Sequence, residues 1–266
     1  MTLTTNMASG VPLPRSTFDR DRHEGADPSV IASTFERMPA SALAVTEPHL
    51  SRDPSVGCAF CGRLRPSKAL PDIAWWPVAE SRDFLAVPSV GALVPGWLLL
   101  MPKRHVLSLA LLSPQERACL LEDVAELRAS WGQLFGPLTL FEHGPAEVAS
   151  PVGCSIDHAH LHLVPTGNID LYTAAQRHLP ELTWAVTPGL ANLDRLAEAG
   201  KPYLYLETPD GTSRVATGPE IPSQALRRAY AAELGEVDRY DWKAFPRLEV
   251  VQETVSNARA AGVAAA

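Results

Sequence analysis

The segment that most constrains this chain has a histidine at every second position, in the run HAHLHLVP from His158 to Pro165. Successive side chains of a β-strand point to opposite faces of the sheet. If the run is a strand, its three histidines share one face, and the small or apolar residues between them share the other face, where they can be buried. The sequence therefore predicts a row of imidazoles on a rigid strand.

Three kinds of site fit such a row. Imidazole is a good ligand for zinc or iron, so the row could bind a catalytic metal. A cupin-like metal site would also use a nearby glutamate, and the next one here is Glu181, beyond a proline and a glycine. One imidazole could instead act as a nucleophile, since histidine is largely neutral at pH 7, while its neighbours stabilise the charge of a phosphate. The third alternative is that ordinary hydrogen bonds satisfy all three histidines.

Composition excludes some classes of protein. The chain has 266 residues and a net charge of −7, with an isoelectric point near 5.6, which argues against a general nucleic-acid-binding protein. No apolar run reaches the roughly 18 residues that a membrane-spanning helix needs. The first residues lack the apolar core of a signal peptide. We therefore expect a cytoplasmic protein that binds neither nucleic acid nor membrane.

Hydrophobic periodicity and turn residues predict an α+β fold. A helix is expected to begin at Ser113-Pro114, where Ser113 and Glu116 have the spacing of a capping box. Strands are expected at 82–88, 97–101, 137–142 and 158–165. Because the helix lies between strands in the chain, we expect a mostly antiparallel sheet with this helix packed on one face.

The chain ends differ in character from this central region. Residues 1–50 are rich in Ser, Thr, Pro and charge and predict an irregular arm, with a short helix near 29–38. A central catalytic domain is expected at 51–168, and a C-terminal extension of helices and a hairpin at 169–266, packed on that domain. The expected helices of the extension are 170–178, 190–199, 222–234 and 245–261, and its hairpin strands are 203–207 and 213–216.

The run from His158 to Val164 resembles the His-φ-His-φ-His-φ-φ signature of the histidine triad (HIT) superfamily, in which φ is a hydrophobic residue. Two upstream segments strengthen the resemblance. WLLLMPKRH, from Trp97 to His105, is similar to the strand and Pro-Lys-basic-His segment of that family. Gly153-Cys154-Ser155 stands where the family usually has Gly-Gln-Ser. The resemblance covers roughly residues 55 to 166.

The resemblance implies an enzyme that binds a small nucleotide or nucleotide conjugate and acts at its α-phosphate. The middle histidine, His160, would attack phosphorus to form a nucleotidyl-histidine intermediate, and His162 and Ser155 would donate to the phosphate oxygens. Such an enzyme is a phosphoric anhydride or phosphoramide hydrolase, or a nucleotidyltransferase. Branches that transfer to phosphate or sugar phosphate commonly have Gln at the third position, so His162 favours hydrolysis. Transfer of the phosphorylase or uridylyltransferase kind, and a non-catalytic nucleotide-binding module, remain alternatives.

A second motif, Cys58-x-x-Cys61, is more typical of a metal or redox site than of a disulfide in a reducing compartment. We expect a tight knuckle closed by Gly62. Some bacterial HIT proteins, and the related galactose-1-phosphate uridylyltransferases, combine such a knuckle with the histidine of the Pro-Lys-basic segment and with the first triad histidine. Those positions are His105 and His158 here. The resemblance thus implies a structural zinc bound by Cys58, Cys61, His105 and His158.

Four further residues stand where the resemblance implies contact with the substrate: Ser89, His143, Gly153 and Cys154. Small HIT proteins have an acidic residue or Asn for the ribose at the position of Ser89, and often have Asn at the position of His143. His143 is expected either to reach the active site or to cap a loop. Cys154 replaces a glutamine that often helps to bind the phosphate or leaving group.

Two features of the chain leave alternatives open. Arg227 and Arg228 are expected either to reach a phosphate or to lie on the solvated face of a helix. Small HIT proteins are usually dimers, which makes a homodimer one alternative, but the C-terminal extension could cover or replace that interface.

Overall fold

The structure, a computed structural model, describes residues 58–64, 75–153, 156–218 and 220–263. These residues all lie within one unit, Ser51–Ala266. The predicted arm at residues 1–50, with its short helix, lies outside the described residues, as do Cys154 and Ser155.

The described residues form six α-helices and eight β-strands. In chain order these are α1 (Ala59–Leu64), β1 (Ala79–Glu80), β2 (Phe84–Pro88), β3 (Leu98–Pro102), α2 (Pro114–Phe135), β4 (Leu138–Gly144), β5 (Leu161–Pro165), α3 (Leu171–His178), β6 (Trp184–Val186), α4 (Asp194–Glu198), β7 (Tyr203–Glu207), β8 (Ser213–Thr217), α5 (Ala225–Glu233) and α6 (Leu248–Ala260). Short 3-10 turns occur at Leu109–Leu111, Pro151–Gly153, Leu190–Asn192 and Val237–Arg239.

The strands form one antiparallel sheet in the order β1-β2-β3-β5-β4-β7-β8-β6. This confirms the predicted α+β class. Strand β5, which carries His162, is central and pairs with β3 on one side and β4 on the other. Strand β4 in turn pairs with β7. The sheet therefore continues without a break from the predicted catalytic domain into the predicted extension.

The predicted strand at residues 158–165 is wrong in its first half, because β5 begins only at Leu161. Before that point the backbone leaves the sheet ladder: Ala159 donates its N–H to the carbonyl of Val106, at 2.7 Å. The predicted alternation of faces nevertheless holds. Ala159 and Leu161 are buried in the core beneath α2, whereas the histidines point to the opposite face of the sheet.

Helix α2 covers one face of the sheet. Its capping box is confirmed, since Ser113 Oγ accepts from the Glu116 N–H at 3.2 Å and the Glu116 carboxylate accepts from the Ser113 N–H at 2.8 Å. The other face is covered by α3 and α5, whose buried residues join one core cluster with Phe141 of β4. None of the helices in the described ranges combines the length and apolar character needed to cross a membrane.

Other local expectations differ from the structure in detail. The single helix expected at 190–199 is instead the 3-10 turn Leu190–Asn192 followed by α4. Strands β1 and β6 were not expected from the sequence, because they have two and three residues and no alternating pattern long enough to recognise. Both are paired at one edge only, so their strand conformation depends on the partner strand.

Glu142 of β4 is a buried carboxyl on the α2 face of the sheet. It accepts hydrogen bonds from the Leu109 N–H at 2.7 Å and from the Tyr203 hydroxyl at 2.5 Å. Burial raises its pKa to about 7. A carboxyl whose folded-state pKa is raised stabilises the fold below its unfolded pKa, and this contribution is lost as the pH rises through the folded value.

We therefore expect Glu142→Gln to remove a pH dependence of stability. Between pH 4.5 and pH 8 the free energy of unfolding of the variant should gain about 3 kcal/mol relative to that of the wild type. The amide oxygen can still accept from Leu109, and the amide NH₂ can donate to the Tyr203 hydroxyl oxygen in place of accepting from it. Urea denaturation at four pH values measures the difference. If the free energy of unfolding has the same pH dependence in both proteins, the pKa of Glu142 is not raised in the folded state.

Candidate functional site

The knuckle is the start of helix α1. Cys58 lies one residue before the helix, and the N–H of Gly62 donates to the Cys58 carbonyl at 3.1 Å. The prediction that Gly62 closes the knuckle is therefore wrong, because Gly62 lies inside the helix and continues it. The Cys61 N–H is directed to Cys58 Sγ at 3.5 Å. An N–H directed at a cysteine sulfur is compatible with a metal ligand at that position.

Four donor atoms, from Cys58, Cys61, His105 and His158, lie within 4.8 Å of one another. Cys61 Sγ is 3.3 Å from His105 Nδ1, and both sulfurs are 3.5 Å from His158 Nδ1. Tetrahedral zinc with its usual bond lengths would separate sulfur from nitrogen by about 3.6 Å. The structure thus brings together all four predicted ligands at distances that suit this metal.

The tautomer of His158 also fits a metal ligand. Its Nε2–H donates to the carbonyl of Pro102 at 2.7 Å, so the lone pair is on Nδ1, the nitrogen that faces the two cysteines. Burial lowers the pKa of His158 to about 4, which keeps the imidazole neutral. A backbone carbonyl behind a ligating histidine is the usual way in which such a ring is oriented.

His160 has the tautomer that a nucleophile needs. Its Nδ1–H donates to the backbone carbonyl of His158 at 2.8 Å. The unshared electron pair is therefore on Nε2. The ring is only 4% exposed, and burial lowers its pKa. At neutral pH His160 is uncharged, with Nε2 able to attack an electrophile.

His162 has the opposite tautomer. The Trp97 indole, which can only donate, gives its N–H to Nδ1 of His162 at 3.0 Å. A neutral His162 therefore carries its proton on Nε2. Phe141 stacks on the ring at 4.3 Å and fixes its plane. Within the described part of the chain, Nε2 is buried and has no hydrogen-bond acceptor.

His143 is buried in strand β4, so it does not cap a loop. The Leu226 N–H donates to its Nε2 at 3.2 Å, which places the proton on Nδ1. Burial lowers its pKa to about 3. Like Nε2 of His162, Nδ1 of His143 has no partner among the residues that the structure covers. The two rings are 5.9 Å apart, so the two rings that carry these buried N–H donors are neighbours.

Of the other predicted substrate-binding residues, the structure describes Ser89 and Gly153. The Ser89 hydroxyl donates to the carbonyl of Val90 at 3.3 Å, and its side chain is buried. Gly153 ends the 3-10 turn Pro151–Gly153. Cys154 and Ser155, which follow it, lie outside the described residues.

The expectation of a solvated helix face is wrong for Arg227. This side chain is 2% exposed. Its Nε donates to the carbonyl of Tyr240 at 2.9 Å, and Nη2 donates to that of Gly91. Arg228 is exposed, as expected of a surface residue, with its guanidinium 3.9 Å from the ring centroid of Tyr240.

Two aromatic residues, Phe60 and Trp97, also contribute to the site. The sequence predicts Trp97 as a core residue and indicates no role for Phe60. Phe60, between the knuckle cysteines, packs edge-on against His158 and His160 at 5.6 and 5.7 Å. Trp97 belongs to the core but also fixes the tautomer of His162. Nothing in the sequence distinguishes such a tryptophan from an ordinary buried one.

No family model matches the chain, and no curated protein matches it either. Several solved structures are similar to it. A HIT-like protein from Bartonella henselae has 19% identity and a TM-score of 0.33, over 41% of this chain and 78% of that one. A HIT family hydrolase from Clostridium thermocellum has 22% identity and a TM-score of 0.29, over 42% of this chain and 91% of that one.

A zinc-bound histidine triad family protein from Mycobacterium smegmatis has 23% identity and a TM-score of 0.30, over 55% of this chain and 94% of that one. These three solved structures are HIT or histidine triad proteins, and they cover between 41% and 55% of this chain.

Proposed function

We propose that this protein is a nucleotide hydrolase that acts at an α-phosphate through a covalent intermediate on His160. The observation that carries the proposal is the arrangement of three tautomers. His160 presents a lone pair on Nε2, whereas His162 and His143 present N–H groups without an acceptor in the described residues. A nucleophile beside two donors suits a phosphate, which accepts electrons at phosphorus and hydrogen bonds at oxygen.

In the proposed reaction, Nε2 of His160 attacks the α-phosphorus, and the bond from phosphorus to the leaving group breaks. The leaving group departs with the bonding electron pair and takes a proton from solvent. The imidazole becomes cationic, and its Nδ1–H bond to the His158 carbonyl then strengthens because the donor is charged. Water cleaves the new nitrogen–phosphorus bond, which releases a nucleoside monophosphate and restores neutral His160.

The two N–H donors stabilise the charge that develops on the non-bridging oxygens. Nε2–H of His162 and Nδ1–H of His143 are fixed before the substrate arrives, so no reorganisation is needed during the reaction. Ser155 is proposed as a third donor to the same oxygens. Gly153, Cys154 and Ser89 are proposed to line the substrate side of this site.

We further propose that Cys58, Cys61, His105 and His158 bind a structural zinc ion. The four donor atoms converge within 4.8 Å. Such an ion supplies folding free energy by joining the knuckle to the base of the histidine segment. The Pro102 carbonyl orients the His158 ring. The backbone carbonyl of His158 in turn binds Nδ1–H of the His160 ring.

The reaction can be tested with a panel of nucleoside polyphosphates, nucleotide sugars and nucleoside phosphoramidates. Turnover to nucleoside monophosphate, with a nucleotidyl adduct in the intact mass, is the expected result. Addition of phosphate or a sugar phosphate separates the alternatives, because a transferase would release a nucleotide conjugate of that acceptor instead. Binding without turnover or adduct would overturn the enzyme proposal in favour of a nucleotide-binding module.

Trp97→Phe is expected to lower kcat about tenfold, the effect of one lost hydrogen bond of 1–1.5 kcal/mol. An aromatic ring remains, although a smaller one, but Nδ1 of His162 loses its donor and the proton is no longer confined to Nε2. Steady-state kinetics measures the change. Trp131→Phe is the matched control, since it removes another buried indole bond, to the Gly96 carbonyl at 2.8 Å. Equal kcat values for both variants would contradict this role of Trp97.

Several expectations stay predictions. The domain bounds at 50/51 and 168/169, the cytoplasmic location, the absence of a nucleic-acid partner and the homodimer alternative are of this kind. Size-exclusion chromatography with light scattering would decide the oligomeric state directly.

A further inference from the structure

One turn of helix α5 lies behind both imidazole donors of the site. Leu226 donates its backbone N–H to Nε2 of His143. The next residue, Arg227, places its guanidinium carbon 4.7 Å from the ring centroid of Trp97, and Trp97 donates to Nδ1 of His162. Adjacent residues of one helix therefore contact the two donors by separate routes.

The Arg227 guanidinium is rigidly held. Carbonyls from two different loops, of Tyr240 and Gly91, accept from its Nε and Nη2. Tyr230, three residues further along α5, packs against the same indole with the ring centroids 6.0 Å apart. Trp97 is thus contacted by two side chains from one face of the helix. This packing fixes the direction of the indole N–H.

The charge of Arg227 has a chemical consequence for that N–H. A cation over the face of an indole draws electron density from the ring, and a polarised donor forms a stronger hydrogen bond. A stronger donor at Nδ1 of His162 confines the proton of that ring to Nε2.

We propose that Arg227 is a positioning residue of the active site, which acts through Trp97 to keep His162 as an N–H donor toward the substrate phosphate. The identity of the acceptor rests on the proposed function, but the position of the proton on His162 does not. By this inference the C-terminal extension completes the catalytic machinery, because α5 orients both donors.

The test compares Arg227→Met with Arg228→Met in the full-length, zinc-loaded protein. Met keeps the length of the side chain but removes the charge and the fork of donors. We expect Arg227→Met to lower kcat about tenfold with little change in KM, since the donor acts mainly in the transition state. Arg228, the adjacent exposed residue, has the same chemistry but lies over Tyr240, so its variant should stay within about twofold of the wild type.

Nitrogen NMR of histidine-labelled protein provides a readout that a purely structural role would not move. The chain has eight histidines, so His162 can be assigned with a His162→Gln variant. In the wild type, the nitrogen chemical shift of His162 Nε2 should be that of a protonated nitrogen, and the chemical shift of its Nδ1 should be that of an unprotonated acceptor. In Arg227→Met both shifts should move toward each other, as the two tautomers mix, whereas Arg228→Met should leave them in place.

Each outcome decides the inference. Unchanged His162 shifts in a folded Arg227→Met variant would overturn it, as would equal changes in both arginine variants. If Arg227→Met does not fold, Arg227→Gln replaces it: the amide removes the charge but can still donate to a carbonyl, so a shift in the same direction is expected, and wild-type shifts would overturn the proposal. If the wild type turns over no nucleotide, the proposed function fails, while the NMR comparison still decides the role of Arg227.

Discussion

Replacing His160 with alanine is expected to abolish both turnover and the nucleotidyl adduct. The fall in kcat should be on the order of 10⁴-fold or more, as for other enzymes that lose their nucleophile. The reason is geometric: His160 is the triad ring whose Nδ1–H is bound by a backbone carbonyl, at 2.8 Å, so that Nε2 keeps its lone pair. His162 cannot replace it, because its Nε2 carries a proton. Intact mass spectrometry and steady-state kinetics measure the two effects.

His178→Ala is the matched control for this experiment. His178 lies at the end of α3, where it is exposed and bonded to Glu233 at 2.8 Å. The same substitution there should leave kcat within about twofold of the wild type. Zinc content should be equal in the two variants, whereas His160→Ala, which truncates a buried ring, should be the less stable of the two. An adduct of equal yield in the wild type and in His160→Ala would rule out His160 as the nucleophile.

Replacing Cys61 with serine is expected to remove the bound zinc and to lower the free energy of unfolding by about 4–5 kcal/mol or more, the range seen when a structural metal is lost. Cys61 is central to the cluster, with its sulfur 3.3 Å from His105 Nδ1 and 3.5 Å from His158 Nδ1. Without the ion, helix α1 is no longer tied to the segment before β5. Activity should fall as well, since the His158 carbonyl orients His160.

Metal analysis and urea denaturation measure these effects, with Cys119→Ser as the control. Cys119 is a partly buried cysteine of α2, remote from the cluster. Its substitution should leave one zinc ion per chain and change stability by less than about 0.5 kcal/mol. A chelator should reproduce the Cys61→Ser phenotype in the wild type. Wild-type protein that is freshly purified with only trace zinc would contradict the zinc proposal.

The sequence could reveal features that depend on local spacing. The capping box at Ser113 and Glu116, the alternating faces around Leu161 and the Cys58-x-x-Cys61 pair are all set by residues close together in the chain, and each is present in the structure. The four metal ligands were recognisable although His158 lies 100 residues after Cys58. Their recognition came from family resemblance, since spacing alone cannot join positions so far apart.

The features that the sequence predicted wrongly, or did not reveal, depend on long-range packing. The strand was expected to begin at His158, but Ala159 bonds to Val106, in the loop after β3 that carries His105. The carboxyl of Glu142 looked unremarkable in a strand, and only its burial in the folded core raises its pKa to about 7. Arg227 had the pattern of a surface helix, and its burial follows from the packing of α5 against Trp97.

By itself, the sequence determined which atoms are available to the site: three alternating imidazoles, two cysteines and two further histidines. Only the tertiary structure decided what each imidazole can do. A neutral histidine is a donor at one nitrogen and an acceptor at the other, and the partner it meets in the fold selects between them. The Pro102 carbonyl and the Trp97 indole leave the proton on Nε2 of His158 and His162, whereas the His158 carbonyl places it on Nδ1 of His160.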